Sequence, residues 1–153
     1  MSNTFERRRF APTTGLVHEP LAGQASRLNI AVIYTSIDFT LSALRKAGAL
    51  ADSLHACITL IVPQIVPYPL PINRPPVRLD FTERYFRILA DKGPVETTVR
   101  VYLCRDRLKM LLTVLKPNSL VLIGGKDHWW PTKEKRLAGQ LRQSGHQVVF
   151  VQS

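Results

Sequence analysis

The sequence predicts an α/β fold: one doubly wound domain in which helices cover both faces of a five-stranded parallel sheet. Three observations support this prediction. Five apolar runs of strand length alternate with segments of helical periodicity between residue 28 and the last residue. The helical segments are long enough to cross over between parallel strands. The chain has 153 residues, of which 45% are hydrophobic, and this is enough for one sizeable core.

The first part of the chain differs in composition from the rest. It combines basic residues such as Arg7, Arg8 and Arg9 with scattered prolines and glycines, and no apolar period runs through it. Segments of this kind do not bury enough apolar surface to fold. We therefore expect residues 1–27 to form a flexible basic tail and residues 28–153 to form the domain.

Each strand is predicted from a short apolar run. The runs are, in chain order, LNIAVIY, HACITLIVP, TTVRVYL, SLVLIGG and QVVFV. Continuous apolar runs are typical of strands that are covered on both faces. Only TTVRVYL partly alternates, which favours a position nearer a sheet edge. Between residues 62 and 76 closely spaced prolines predict a long irregular loop.

Helices are predicted between these strands. The residues predicted to begin them are Asp38, Asp80 with Glu83 as a capping box, Asp106 and Thr132. The helix after Asp80 has an apolar side made of Phe81, Tyr85, Ile88 and Leu89. Gly145 is predicted to close the last helix.

The chain is strongly basic, with 21 lysines and arginines against 11 acidic residues and a formal charge of +10. Most of the excess lies between Arg100 and Arg142. This charge favours binding of an acidic partner, and nucleic acid is a less favoured alternative. The same residues are also consistent with solvated helix faces in a basic protein.

Several common functions are not supported by any motif. No G-x-G-x-x-G follows the first strand, no P-loop is present, and no G-x-S-x-G elbow exists. Cys57 and Cys104 lie in apolar segments without metal-ligand spacing, so we expect two buried thiols and no metal site. No apolar stretch resembles a membrane span or a signal peptide, which favours a cytoplasmic protein. We assign no catalytic residue and favour a protein that is not an enzyme.

The stretch GGKDHWWP follows the fourth strand and is a candidate ligand site. In a doubly wound sheet, ligands bind beyond the carboxyl ends of the strands, where the strand order reverses. Gly124, Gly125 and Lys126 could cradle an anion with their backbone amides, although a Gly-Gly turn after a buried strand is also routine. Three roles are open for Trp129 and Trp130. One ring could pack under the proline loop, the rings could stack on bases, or they could anchor a protein partner.

The order of these segments resembles the universal stress protein family over residues 28–153. The resemblance rests on RLNIAVIYTSIDFTLSALRKAGALADSLHACITLIVP, on TTVRVYLCRDRLKMLLTVLKPNSLVLIGGK and on HQVVFVQS. It implies a parallel sheet in the order 3-2-1-4-5, frequent homodimers, and ATP binding in some members. The last strand would then be a sheet edge, and we expect Val148, Val149, Phe150 and Val151 to pair with a second copy.

The resemblance also implies a nucleotide site that this chain only partly retains. Gly124 matches the first glycine of the family's signature, but Asp127 and Leu137 stand where the next two glycines are expected, and Ala138 replaces the hydroxyl residue. Thr35 replaces an aspartate unless Asp38 takes its place. An aspartate beside a phosphate costs on the order of 1 to 4 kcal/mol. The tentative site consists of Thr35, Asp38, Val62, Gly124, Gly125 and Lys126.

Three functions follow as alternatives. The favoured one is a non-catalytic stress-response, signalling or binding module with a degraded or altered nucleotide site. The second is an adenine nucleotide binder, taking ATP with Mg²⁺ or AMP, with at most slow hydrolysis. The third is a basic scaffold that docks acidic protein or nucleic acid.

Overall fold

The computed structural model of the chain describes Glu6, Arg7 and residues 28–153. Most of the described elements alternate between strand and helix. In chain order they are β1 (Glu6–Arg7), β2 (Asn29–Ile33), α1 (Ile37–Leu54), β3 (Cys57–Ile65), α2 (Leu79–Asp91), β4 (Thr97–Cys104), α3 (Arg107–Val114), β5 (Leu120–Gly125), α4 (Lys133–Gln143) and β6 (Gln147–Gln152). None of these described helices is both long and apolar enough to cross a membrane.

The sheet confirms the predicted architecture. Its strand order is β1-β4-β3-β2-β5-β6, and β2 to β6 are all parallel to one another. Counted by themselves, these five strands have the order 3-2-1-4-5. A short antiparallel strand, which the sequence had not indicated, pairs Glu6 with Leu103 and Arg7 with Tyr102. Apart from Glu6 and Arg7, the predicted tail lies outside the described residues.

Alternate side chains of the strands build two separate cores, one on each face of the sheet. Ile30 and Val32 of β2 belong to the core that α1 and α2 cover. Ala31 and Ile33, one residue along, belong to the core that α3 and α4 cover. Both faces of β2 are therefore buried, which explains why its sequence is apolar without alternation.

The predicted helix starts are partly right. Asp106 accepts a hydrogen bond from the Lys109 amide, and Thr132 accepts one from the Lys135 amide, as expected of N-caps. Gly145 has a positive φ of 93° just after α4, which suits its predicted role in ending that helix.

Two predicted caps are wrong. The N-cap of α1 is Ser36, whose hydroxyl accepts from the Phe39 amide, while Asp38 lies in the first turn. Helix α2 begins after Arg78 and has no side-chain cap. Asp80 instead forms an ion pair with Arg78 at 2.9 Å. A bidentate bond with a neighbouring arginine competes with capping for the same carboxylate oxygens.

Helix α2 faces the sheet with a different side from the predicted one. Phe81, Tyr85 and Ile88 are exposed, and of the four predicted residues only Leu89 is buried. The buried side consists of Thr82, Phe86, Leu89 and Ala90. Two sets of residues recur at helical spacing in this segment. The set that contains the small residues Thr82 and Ala90 packs against the sheet, which lets the helix approach it closely.

Strand β3 extends further than predicted. It continues through Pro63 to Ile65, so the proline loop begins at Val66. Strand β2 pairs with β3 only as far as Ile61, whereas β4 pairs with β3 up to Ile65. Beyond Ile61 one side of β3 has no strand neighbour, so a residue without an N–H is tolerated there.

The two cysteines also differ from each other. Cys104 is buried as predicted, but Cys57 is exposed, so that half of the prediction is wrong. Cys57 is the first residue of β3, at the amino end of the strand, where the burial pattern begins with an exposed position. Burial raises the pKa of the Cys104 thiol to about 11, with a further contribution from Asp106. The Cys104 thiol is therefore protonated at neutral pH.

Candidate functional site

The strand order reverses between β2 and β5, and the predicted site residues come from the carboxyl ends of these two strands. Strand β2 is followed by α1 and then by β3 on one side, whereas β5 is followed by α4 and then by β6 on the other. In folds of this kind the resulting crevice is the usual ligand site. Here Thr35 spans it, because its hydroxyl donates to the Gly124 carbonyl at 3.0 Å.

The first turn of α1 occupies the space above Gly124. A Cβ placed on this glycine would lie 2.1 Å from the Phe39 carbonyl oxygen and 2.6 Å from the Phe39 carbonyl carbon. No side chain is tolerated at such distances without movement of the backbone. Gly124 is therefore required for close packing of α1 against β5.

Gly125 makes room for a side chain from the neighbouring strand. A Cβ on Gly125 would lie 2.6 Å from the Cζ atom of Phe150 in β6 and 3.1 Å from Cβ of Glu134 in α4. The carbonyl of Gly125 accepts a hydrogen bond from the Ser153 amide at 3.2 Å. Both glycines are buried and in contact with protein, so the Gly-Gly pair serves packing.

The remaining residues of the predicted nucleotide or anion site are dispersed. Asp38 is exposed in the first turn of α1, and Lys126 is exposed after β5. Val62 is 2% exposed, and its side chain belongs to the core under α1 and α2. The structure therefore brings together Thr35 and Gly124, while the side chain of Val62 is directed away from the edge.

An internal ion pair anchors the chain after Gly125. Lys135 donates to a carboxylate oxygen of Asp127 at 2.9 Å and also to the backbone carbonyl of His128. The hydrogen bond from Lys135, together with its charge, lowers the pKa of the Asp127 carboxyl. Lys135, a cation close to the predicted phosphate site, is thus engaged by Asp127, the residue that stands where the family signature has a glycine.

Residues 126–131, which we call the Trp loop, present two exposed indole rings. Trp129 is 83% exposed and Trp130 is 62% exposed. The ring centroids are 4.2 Å apart and the planes are inclined by 37°. Neither ring packs under the proline loop, so this alternative from the sequence is wrong, and the two alternatives that require exposed rings remain.

The proline loop is held by an arginine whose role the sequence did not reveal. Arg105 donates to the carbonyls of Val66 at 2.7 Å and Leu70 at 2.6 Å. Its guanidinium lies 4.1 Å from the centre of the Tyr68 ring, within cation–π range. Tyr68 therefore contacts Arg105. No signal in the sequence distinguishes Arg105 from the other arginines nearby.

Two pockets lie elsewhere in the described structure. One, of about 240 Å³, lies near the amino ends of β2 to β4 and is bordered by Arg100 and Lys116. The other, of about 150 Å³, lies between α2 and β4. Among the described residues, no group of three or more His, Cys, Asp or Glu side chains is arranged to hold a metal ion.

The predicted dimer edge forms the last strand. Val148 and Phe150 pack against the core under α3 and α4, while Val149 and Val151 pack against the other core. All four side chains are half-buried. Strand β6 is terminal in the sheet, and its outer edge has no partner strand within residues 28–153.

Comparisons with known proteins gave no match: no family model, no curated protein and no solved structure is significantly similar to this chain.

Proposed function

We propose that this chain is a non-catalytic binding or signalling module of universal stress protein type, in which the nucleotide site is closed. The order of strands and helices supports this proposal. One observation carries it: a Cβ on Gly124 would lie 2.1 Å from the Phe39 carbonyl oxygen, so the first turn of α1 fills the space above the first glycine of the family signature. A stress-response role in the cytoplasm belongs to the same proposal.

The physical requirements of a phosphate cradle support closure. Such a cradle needs free backbone amides, space above the glycines and an uncompensated positive charge. At Gly124 and Gly125 the space is taken by Phe39 and Phe150. Of the nearby cations, Lys135 is compensated by Asp127, so closure rests mainly on the occupied space. A triphosphate would have to displace these contacts before it could bind.

The chemical state of the nearby side chains supports a non-catalytic role. The Cys104 thiol lies at the carboxyl end of β4, but its raised pKa keeps it protonated and weakly nucleophilic. The lowered pKa of Asp127 makes this carboxylate a poor general base at neutral pH.

Thermal unfolding with Mg²⁺-ATP, AMP and inorganic phosphate tests the proposal. A ligand at 100 times its Kd adds about 2.7 kcal/mol to the free energy of unfolding. For a chain of this size, Tm would rise by several degrees. We expect no shift with any of the three. A shift with Mg²⁺-ATP or AMP would instead establish the alternative, an adenine nucleotide binder with a rearranged loop.

We also propose a homodimer in which two copies of β6 pair antiparallel across a twofold axis. The unpaired outer edge of β6 and its half-buried apolar side chains support this arrangement. One backbone group is not free for such pairing, because the Val148 carbonyl already accepts a hydrogen bond from Arg142 at 3.1 Å. Light scattering at micromolar concentration should give twice the monomer mass, and a monomer under these conditions would rule the arrangement out.

A second candidate function is docking of an acidic partner through the Trp loop. It is favoured by the exposure of Trp129 and Trp130 beside cations that have no ionic partner among the described residues. Within the described part of the chain, Lys126, Lys133 and Arg136 form no ion pair. Exposed aromatic rings beside unpaired cations are typical of binding surfaces for polyanions.

A further inference from the structure

We propose that the Trp loop and the first turns of α4 bind single-stranded nucleic acid. Bases would stack on Trp129 and Trp130, and phosphates would contact Lys126, Lys133 and Arg136. This inference rests on the second candidate function, docking of an acidic partner, and names that partner. It does not depend on whether the crevice between β2 and β5 is closed.

The two indole rings form a ready platform for bases. They contact each other at a centroid distance of 4.2 Å, and both are mostly exposed. Each ring therefore keeps one face for an incoming base. Stacking on aromatic side chains is tolerant of sequence, because every base has a π-face.

The charges around the platform are positive and available. Lys126, Lys133 and Arg136 are all exposed. The acidic residues of this stretch are Asp127, which is paired with Lys135, and Glu134, which is half-buried. A phosphate near the rings therefore meets cations that need not first give up an ionic partner.

The positive surface continues along the same side of the sheet. Helices α3 and α4 pack on one face, and both begin at the carboxyl edge. Arg107 and Lys109 lie in the first turn of α3. Strands β3 and β2 lie between the strands that precede the two helices, so the carboxyl ends of β4 and β5 are about 14 Å apart, or three strand spacings. A flexible strand can follow cations distributed in this way.

The surroundings of the rings favour a nucleic acid over an acidic polypeptide. Tryptophan hot spots for protein partners usually lie at the centre of an interface, where lysine and other charged residues are depleted. Trp129 and Trp130 instead lie on an exposed loop between Lys126 and Lys133. Stacked bases require only open ring faces and nearby cations. The geometry therefore reverses the preference for an acidic protein that composition had suggested.

Intrinsic fluorescence can test this directly, because the chain contains two tryptophans and both are in the Trp loop. The full chain would be titrated at low salt with oligothymidylate of about 12 nucleotides, within the usual range of single-strand site sizes. We expect saturable quenching of tryptophan emission. A duplex of the same length should bind more weakly, and polyglutamate should not quench.

Variants separate stacking from charge, with fluorescence anisotropy of a labelled oligothymidylate as the readout. Truncation of both rings, Trp129→Ala with Trp130→Ala, should weaken binding at least about tenfold. Replacement of both by Phe keeps two aromatic faces and should retain most of the affinity. Phe81→Ala serves as the control, because Phe81 is 65% exposed on α2, on the opposite face of the sheet.

Charge removal gives an independent readout. The slope of log affinity against log salt should decrease by about 0.7 for each cation that contacts a phosphate. Lys126→Gln and Lys133→Gln should each reduce this slope, whereas Lys46→Gln, an exposed residue of α1 on the opposite face of the sheet, should not.

Three results would overturn the proposal. One is the absence of oligothymidylate binding at low salt. Another is unchanged affinity after truncation of both rings, which would indicate charge attraction alone. The third is quenching by polyglutamate equal to that by oligothymidylate, which would identify an acidic polypeptide as the partner. A thermal shift with Mg²⁺-ATP would instead contradict the closed nucleotide site and leave this result unaffected.

Discussion

Two neighbouring parts of the chain, Gly124–Gly125 and the Trp loop that follows them, have opposite environments. The glycines are buried between α1, α4 and β6. The Trp loop projects from the same edge with both indole rings exposed. The space beside the two glycines, which resembled a ligand cradle, is thus filled by the protein itself, while both rings of the Trp loop face solvent. Glycine can allow two segments to pack closely instead of leaving room for a ligand, and large apolar side chains are not always buried.

The largest effect is expected from Gly124→Ala, which tests whether the crevice is closed. The new Cβ would meet the Phe39 carbonyl at 2.1 Å. The first turn of α1 would have to move, and overpacking of this kind costs about 1–3 kcal/mol. For a chain of this length, Tm should fall by several degrees, as measured by calorimetry or circular dichroism.

Gly139→Ala is the matched control for this prediction. A Cβ at Gly139, within α4, would meet nothing within 4 Å. Alanine favours helix over glycine by up to about 1 kcal/mol, so this variant should be stabilised. If Gly124→Ala were as stable as the original chain, the crevice would be open in solution and our account of the glycine pair would fail.

A smaller loss is expected from Thr35→Val, which removes the hydrogen bond across the crevice. Valine keeps the shape of the side chain but cannot donate to the Gly124 carbonyl. We expect a loss of about 1 kcal/mol in the free energy of unfolding, measured by urea denaturation. Thr113→Val removes an exposed bond within α3 and should change stability by less than about 0.5 kcal/mol. Equal effects of the two variants would show that the contact between Thr35 and Gly124 has no special weight.

A still smaller effect on stability is expected when both tryptophans of the Trp loop are replaced by serine. Because Trp129 and Trp130 are 83% and 62% exposed, their loss removes little buried apolar surface. The free energy of unfolding should change by less than about 0.5 kcal/mol, as measured by chemical denaturation followed by circular dichroism. A loss as large as that for Gly124→Ala would mean that the rings are covered in solution.

The smallest expected effect concerns the charge pair at the base of the Trp loop. Lys135 lowers the pKa of Asp127 in the folded chain. The pair therefore stabilises the fold above the ordinary pKa of the carboxyl, and this contribution is lost as the pH falls through the lowered pKa. In Lys135→Met the pKa of Asp127, followed by NMR, should rise toward its ordinary value. Lys133→Met leaves the pair intact and should not change it, and an unchanged pKa in Lys135→Met would mean that the pair is absent in solution.

The prediction of the fold succeeded because it rested on patterns that many residues share. Alternation of apolar runs and helical segments predicted the parallel sheet, and its strand order confirmed what the family resemblance implied. The misassignments arose where two sets of residues fitted the same sequence pattern. In α2 both stripes, Phe81–Tyr85–Ile88 and Thr82–Phe86–Leu89, satisfy helical spacing. Packing against the sheet decides between them, and packing is not a local property.

The site was less predictable, because its character depends on atoms that are distant in sequence. Phe39 and Phe150 occupy the space beside Gly124 and Gly125, yet no motif connects these residues. Arg105 resembles every other arginine in the basic half of the chain until its bonds to Val66 and Leu70 are seen. Likewise, no pattern in the sequence indicated that Tyr68 would contact Arg105.

The sequence by itself determined the alternation of strands and helices, the caps at Asp106 and Thr132, and the excess of positive charge. These features depend on side-chain periodicity, local hydrogen bonding and composition, all of which act over a few residues. The tertiary structure alone decided that the space beside the Gly-Gly pair is filled, that the side of α2 with Phe81 and Tyr85 is exposed, and that the two indole rings face solvent. Each of these outcomes is a competition for the same space between segments far apart in the chain, and only their assembly into one sheet determines which segment occupies it.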